Sequence, residues 1–207
     1  LGFICYPSRA DQIEAVYKIE VGSVDVGKMV WTLNNDNLKY YSKIVLKDKG
    51  VLSILYKFSG EYASEGYLKN NRFVSTNYSQ LWKTKKKERL VKIIFENQKA
   101  IKITQQPKES ERLRIDFTNF EKITDPISSM LNIIAFNEND FNTIDGRRIY
   151  KMIKSEDRVI ITDYYNLWTD HNKKDLEYLV IENNGQEEGL FFPDKIKIKN
   201  KGLVFSL

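Results

Sequence analysis

The segment from Thr124 to Ala135 most constrains the fold, because it is the clearest helix in a sequence that otherwise predicts β-strands. Asp125 is placed to accept hydrogen bonds from the first-turn N–H groups, and Pro126 follows at the first helical position, where its missing N–H costs nothing. Apolar residues recur at helical spacing along one face: Ile127, Met130, Leu131 and Ile134. A helix of about three turns is not stable alone in water, so we expect it to pack on an apolar surface supplied by strands.

The rest of the chain alternates apolar and polar residues between polar turns, which predicts about a dozen β-strands. The clearest of these strands span residues 13–21, 24–33, 38–47, 60–68, 72–82, 90–95, 147–153 and 158–165. A brief alternation over residues 113–117 predicts a further short strand before the helix. The continuous apolar run over 51–58 suits a buried strand and a short helix equally.

These elements predict an all-β, mainly antiparallel protein. Its strands should form an open or incomplete barrel or a curved sheet, plugged by the single amphipathic helix near 125–135. The chain has 207 residues, of which 42% are hydrophobic, and this is enough for one sizeable core. We see no internal repeat or linker, so residues 11–207 should form one domain.

Two glycines stand where the backbone needs special freedom. The dipeptide Asp145-Gly146 separates two β runs and predicts a tight hairpin turn, with a positive φ at Gly146. Gly66 interrupts a strand pattern and predicts a bulge or a close approach of another group.

Residues 1–10 resemble the end of a secretory signal peptide. A short apolar run is followed by Ser8-Arg9-Ala10, which fits a small-x-small cleavage site. Cleavage after Ala10 would make Asp11 the first mature residue and would predict a periplasmic location. Two alternatives are a short N-terminal strand and a lipoprotein signal with Cys5 acylated, although Ile4 stands where a small residue is expected. Without Cys5 the mature chain has no cysteine for a disulfide.

The residue types that carry most catalytic or metal chemistry are scarce. His171 is the single histidine, whereas a structural zinc site needs about four Cys or His ligands. The sequence contains no nucleophile motif and no phosphate-binding glycine loop. We therefore expect no enzyme activity, no metal and no cofactor.

A basic run gives the chain its most charged segment, although the formal net charge is only +5. The run consists of Lys83, Lys85, Lys86, Lys87 and Arg89, beside Trp82. It could contact anionic lipid head groups, but lysines at a hairpin tip also protect sheet edges from pairing. We expect no nucleic acid partner, no transmembrane segment and a monomer.

Aromatic side chains are abundant, at 13% of the sequence, and several alternate along predicted strands. They could simply fill the core, or they could line an apolar cavity between sheet and helix. The candidate residues for such a cavity are Tyr17, Trp31, Tyr40, Tyr62, Trp82, Phe95, Met130 and Ile134.

Several motifs resemble an exported bacterial family catalogued as domain of unknown function 3108. They are YKIEVGSVDVGKMVW, FSGEYASEGYL, DPISSML, FNTIDGRRIYKM and FFPDKIKIK, in this order. The resemblance covers nearly all of residues 11–207 and implies a periplasmic or secreted β-rich protein, with no established activity or catalytic residue. The expected architecture is also similar to that of periplasmic lipoprotein carriers.

Two functions follow from this sequence. One is a non-catalytic periplasmic protein that binds a lipid or another apolar ligand between sheet and helix. The other is a structural protein that contacts envelope proteins and has a filled core.

Overall fold

The computed structural model describes residues 11–36, 38–49, 57–168, 176–182 and 192–207. Within these residues, fourteen strands form one sheet around one α-helix, α1 (Pro126–Phe136). The strands are β1 (Asp11–Val21), β2 (Val24–Asn35), β3 (Lys39–Asp48), β4 (Phe58–Leu68), β5 (Phe73–Thr84), β6 (Glu88–Glu96), β7 (Lys99–Gln106), β8 (Ile123–Thr124), β9 (Asp140–Ile144), β10 (Arg148–Ser155), β11 (Arg158–Asn166), β12 (Leu176–Glu182), β13 (Lys195–Asn200) and β14 (Leu203–Ser206).

The sheet curves into a nearly closed barrel. Strands β1 to β7 form an antiparallel meander, and β9 to β14 form a second one. The two meanders meet where β1 pairs with β14, over only two residue pairs, Glu20↔Ser206 and Val21↔Phe205. Among the described strands, β8 runs parallel to β9, and all other neighbouring strands are antiparallel.

The opposite seam of the barrel lies between β7 and β8. Here the N–H of Ile123 donates to the backbone oxygen of Gln98 at 3.0 Å. At the other end of β7, the side-chain amide of Gln105 donates to the Gly146 oxygen at 3.2 Å. These contacts tie the two ends of the sheet together without a continuous ladder of hydrogen bonds.

The helix lies between two groups of buried apolar side chains. The main cluster lies chiefly inside β1 to β7 and includes Trp31, Leu33, Phe73, Ile93, Ile127 and Leu131. The second cluster lies against β9 to β13 and contains Ile133, Phe141, Tyr150, Met152, Val159, Ile161, Leu179 and Ile181. Met130 and Ile134 are half-buried and contact both clusters. The helix therefore fills the barrel interior, as the sequence predicted.

The predicted helix boundaries agree closely with the structure, since Asp125 is the N-cap and the helix ends at Phe136. The expected strand over residues 113–117 is wrong: a 3-10 helix spans Phe117–Asn119 and is capped by Asp116. The ambiguous segment 51–58 lies largely outside the described residues, and β4 begins at Phe58.

The two special glycines occupy the positions that the sequence indicated. Gly66 lies at a register shift between β4 and β5, and a Cβ there would lie 2.0 Å from the Val74 backbone oxygen. Gly146 has φ +87° in the hairpin between β9 and β10. Asp145 and Arg148 close this turn, so Gly146 and Arg147 are its central residues, as in a turn with glycine at the first central position.

Candidate functional site

The start of α1 is held by a buried polar group that we call the Asp125 cluster: Asp125, Ser128, Ser64 and Tyr40. One carboxyl oxygen of Asp125 accepts the N–H groups of Ile127 and Ser128, at 2.8 and 3.0 Å. The other oxygen accepts the hydroxyls of Ser64 and Ser128, at 2.7 and 2.6 Å. The cap therefore also fixes the helix to β4.

Tyr40 extends the Asp125 cluster to β3. Its hydroxyl lies 2.6 Å from the Ser128 Oγ and 3.2 Å from the Ser64 Oγ. Burial, with the nearby Asp125 carboxyl as a smaller cause, raises the pKa of Tyr40 well above its usual range. The Tyr40 hydroxyl therefore keeps its proton at neutral pH. Because both serines donate to Asp125, Tyr40 can donate this proton to one of them, and the Ser128 Oγ is the closer acceptor.

Serine, aspartate and tyrosine side chains this close together can form a catalytic site. The burial of these four side chains argues against that role. Asp125, Ser128 and Ser64 are almost completely buried, and Tyr40 is only 2% exposed. A substrate could not reach these hydroxyls without removing the helix. The Asp125 cluster therefore stabilises the position of the helix.

A second polar contact fixes the middle of α1 to β5. Asn132 is fully buried, and its side-chain amide forms two hydrogen bonds with the backbone of Phe73. A third contact, between the Ser129 and Thr143 hydroxyls, joins the helix to β9. Polar contacts to the adjacent strands β3, β4 and β5 and to β9 thus hold the helix inside the barrel.

Most residues predicted to line a cavity belong to the packed main cluster. Tyr17, Trp31, Tyr40 and Phe95 are buried there, and Tyr62 packs against them. Trp31 donates its indole N–H to the Ser42 Oγ at 2.8 Å, and its ring lies 4.6 Å from that of Phe192. Trp82 is half-buried near the end of β5 and, among the described residues, belongs to neither cluster.

Ile134 differs from the other candidates, because it lines an open cleft at the C-terminal end of the helix. This cleft, which we call the helix-end cleft, has a volume of about 610 Å³. It is lined by Ile133, Ile134, Asn137, Lys154, Glu156, Asp157, Ile181 and Glu182. Three isoleucines form its apolar part, and one lysine and three acids supply its charge.

Several local contacts shape the helix-end cleft. Asn137 ends the helix in a left-handed conformation, with φ 53°, and its side-chain oxygen accepts a hydrogen bond from the Lys154 ammonium. The Ile181 N–H donates to the Asp157 backbone oxygen at 2.9 Å, which ties β12 to the turn between β10 and β11. Glu182 accepts from Lys197 at 2.5 Å. Polar groups therefore make up most of the cleft surface, and the isoleucines give it a smaller apolar part.

Sequence reasoning missed most of this cleft, because its residues come from the helix, from the turn after β10 and from β12. Ile134 was found through its helical periodicity. The remaining cleft residues have no shared motif or spacing in the sequence, so an explicit fold is needed to bring them together.

The basic run lies at the hairpin between β5 and β6, and part of its charge is paired. Lys83 contacts Glu88 at 3.0 Å, and Arg89 contacts Glu109 at 3.4 Å. Lys85, Lys86 and Lys87 are exposed at the tip. The run is therefore less concentrated as a positive surface than the sequence suggested.

Other site types find no support in the part of the chain that the structure describes. Its His, Cys, Asp and Glu side chains form no group of three or more that could hold a metal ion. None of its helices is long and apolar enough to span a membrane. His171 lies outside the described residues.

Comparisons with known proteins found no matching family model, no similar curated protein and no similar solved structure. The resemblance to domain of unknown function 3108 and the architectural comparison with lipoprotein carriers therefore stay predictions.

Proposed function

We propose that this protein is a non-catalytic binding protein for a lipid or another apolar small molecule, held in the helix-end cleft. The observation that carries this proposal is the position of Ile134. It lies at the boundary between the two apolar clusters and lines a cleft of about 610 Å³. This volume is in the usual range of small-molecule sites, roughly 300–1,000 Å³.

The charge of the cleft favours a particular head group. Glu156, Asp157 and Glu182 outnumber Lys154 among its lining residues, although Lys197 pairs with Glu182 at 2.5 Å. An amine or hydroxyl head would therefore find acceptors at the rim, while a carboxylate head would meet like charge. The apolar chain of such a ligand would contact chiefly Ile134, because Ile133 and Ile181 are buried.

A structural role in the cell envelope is the second candidate function. It is favoured by the filled main cluster and by the three polar contacts that fix the helix, because a helix held in this way is not a mobile lid. Binding in the helix-end cleft does not need the helix to move, so the filled core is compatible with the first proposal too.

Native mass spectrometry of protein purified without detergent separates these two functions. Under the binding proposal, a fraction of the protein carries an extra mass that organic extraction releases as a lipid or another apolar molecule. A single unliganded mass, together with no uptake of an added long-chain amine, would favour the structural role.

We also propose that the protein is exported to the periplasm and begins at Asp11 after cleavage. This rests on the Ser8-Arg9-Ala10 pattern. Mass analysis of the cellular protein should find Asp11 at its N-terminus. Retention of residues 1–10 on the cellular protein would contradict the proposed cleavage.

A further inference from the structure

Strand β1 has an edge that its neighbours leave largely open. On one side it pairs with β2 along its whole length, from Asp11↔Asn35 to Val21↔Val24. On the other side its pairing with β14 is limited to Glu20 and Val21. Among the described residues, no strand pairs with residues 11–19 along that side. Unpaired strand edges are ready templates for another strand.

The outward side chains along this open edge are Glu14, Val16 and Lys18, and all three are exposed. Val16 is 55% exposed and is the apolar member of this row. Residues at alternate positions of a strand share one face, so these three form a continuous row.

The row is complementary to a second copy of itself. If two β1 strands pair in antiparallel orientation about Val16, each Val16 lies opposite the other, and each Glu14 lies opposite a Lys18. Directly opposite residues in an antiparallel pair have Cβ atoms about 5 Å apart, close enough for ion pairing. If the two strands paired about residue 15 or residue 17 instead, Glu14 would no longer lie opposite Lys18, and both charge pairs would be lost.

The open edge is long enough for this register. Glu20 is already paired with Ser206, so the free stretch ends at Ile19. Pairing about Val16 places Ile19 opposite Ile13 and uses residues 13–19 of both copies. The charge order therefore sets this register, and the open edge is long enough to hold it.

We propose that β1 pairs edge to edge with β1 of a second copy, forming a two-fold symmetric dimer with Val16 on the axis. This departs from the monomer expected from the sequence. Within one chain Lys18 contacts Glu20 at 2.6 Å, but this pair is exposed and contributes little. In the dimer Lys18 lies opposite Glu14 of the second copy, and the unpaired backbone groups of both edges gain partners.

Sedimentation equilibrium of purified protein over a range of concentrations tests this dimer. The parent should show a concentration-dependent dimer. Glu14→Lys and Lys18→Glu each create two like-charge pairs by symmetry, so each should weaken dimerisation at least about tenfold. Lys92→Glu, an exposed lysine on the outer face of β6, is the matched control and should dimerise like the parent.

Mixing the two single variants gives the sharpest result. A chain with lysines at 14 and 18 faces a chain with glutamates at 14 and 18, so the heterodimer in the mixture should be tighter than the homodimer of either variant. The double variant Glu14→Lys/Lys18→Glu should also recover dimerisation. A monomeric parent, single variants that dimerise as tightly as the parent, or a mixture that associates no more tightly than the single variants would overturn the proposal.

Discussion

The side chain of Asn132 hydrogen-bonds the backbone of Phe73 in both directions. Its Oδ1 accepts from the Phe73 N–H at 2.7 Å, and its Nδ2 donates to the Phe73 oxygen at 3.1 Å. The pairing of β5 with β6 begins only at Asn77, so Phe73 lies beyond the β6 ladder on that side. The Asn132 side chain thus forms the two backbone hydrogen bonds that a neighbouring strand would otherwise form with Phe73.

Replacing Asn132 by leucine keeps a similar size and removes both hydrogen bonds. The buried N–H and C=O of Phe73 would lose their partners, so we expect a loss of about 2–4 kcal/mol in the free energy of unfolding. Urea unfolding measures this loss. Asn77→Ala, at an exposed asparagine of the same strand, is the control and should change stability by less than about 0.5 kcal/mol. Equal stability of the Asn132→Leu variant and the parent would show that this contact is not significant.

Asp125 should contribute more than an ordinary helix cap. An exposed N-cap carboxyl contributes about 1 kcal/mol, but Asp125 is buried and accepts four hydrogen bonds from three residues. We expect Asp125→Ala to cost about 3 kcal/mol or more, because the donors would stay buried without an acceptor. Asp116→Ala removes the cap of the exposed 3-10 helix and should cost about 1 kcal/mol or less. Similar losses for the two variants would contradict the role of the Asp125 cluster.

Gly146 is required for its conformation and for its close packing. Its φ is +87°, and a Cβ there would lie 2.4 Å from the Val91 Cγ1 on β6. Asparagine accepts positive φ, so sequence alone predicts Gly146→Asn to be much milder than Gly146→Val. The contact with Val91 changes this, and we expect both variants to lose more than about 2 kcal/mol in chemical unfolding. Adding Val91→Ala should recover part of the stability lost in Gly146→Asn, and less of the stability lost in Gly146→Val. If the effects of the substitutions at positions 146 and 91 simply add, the contact with Val91 does not contribute.

Tyr62 should make the protein sensitive to alkaline pH. Burial, with a smaller effect of the Asp145 charge, raises the pKa of Tyr62 to about 12. The unfolded chain has a tyrosine pKa of about 10, so it loses this proton first, and stability falls as pH rises from 10 through 12. Tyr62→Phe should reduce that fall by up to about 1.4 kcal/mol per pH unit. Urea unfolding at several pH values measures the free energy of unfolding of the variant and the parent. Below pH 9 the difference between the two should be constant. If stability falls equally steeply with pH above 10 in both proteins, the prediction is wrong.

The sequence predicted the helix and most strands because their signals are local. Asp125, Pro126 and the apolar spacing lie within one segment, and each strand shows its alternation within about ten residues. The strand expected at 113–117 does not form. Three alternating apolar residues predict a strand, but a strand also needs a neighbouring strand to pair with. Strand β8 has only two residues, Ile123 and Thr124, and is defined by its neighbour β9 rather than by its own pattern.

The candidate site was less predictable, since its contacts join distant segments. Ser64 and Asp125 are 61 positions apart, and Phe73 and Asn132 are 59 apart. Nothing in the sequence around Ser64 or Asn132 distinguishes them from exposed polar residues. Aromatic alternation correctly indicated inward-facing residues such as Trp31, but alternation alone does not separate a filled core from the lining of a cavity.

Binding of a fluorescent long-chain amine to the parent and to Ile134→Trp tests the central claim, that the helix-end cleft holds an apolar ligand. Tryptophan at position 134 would narrow the apolar part of the cleft. Ile160→Trp, at an exposed isoleucine of β11, is the matched control, and a thermal melt of each variant checks that it remains folded. We expect saturable binding by the parent and the control, and binding at least about tenfold weaker in the folded Ile134→Trp variant. No saturable binding by the parent, or unchanged affinity in Ile134→Trp, would contradict the claim.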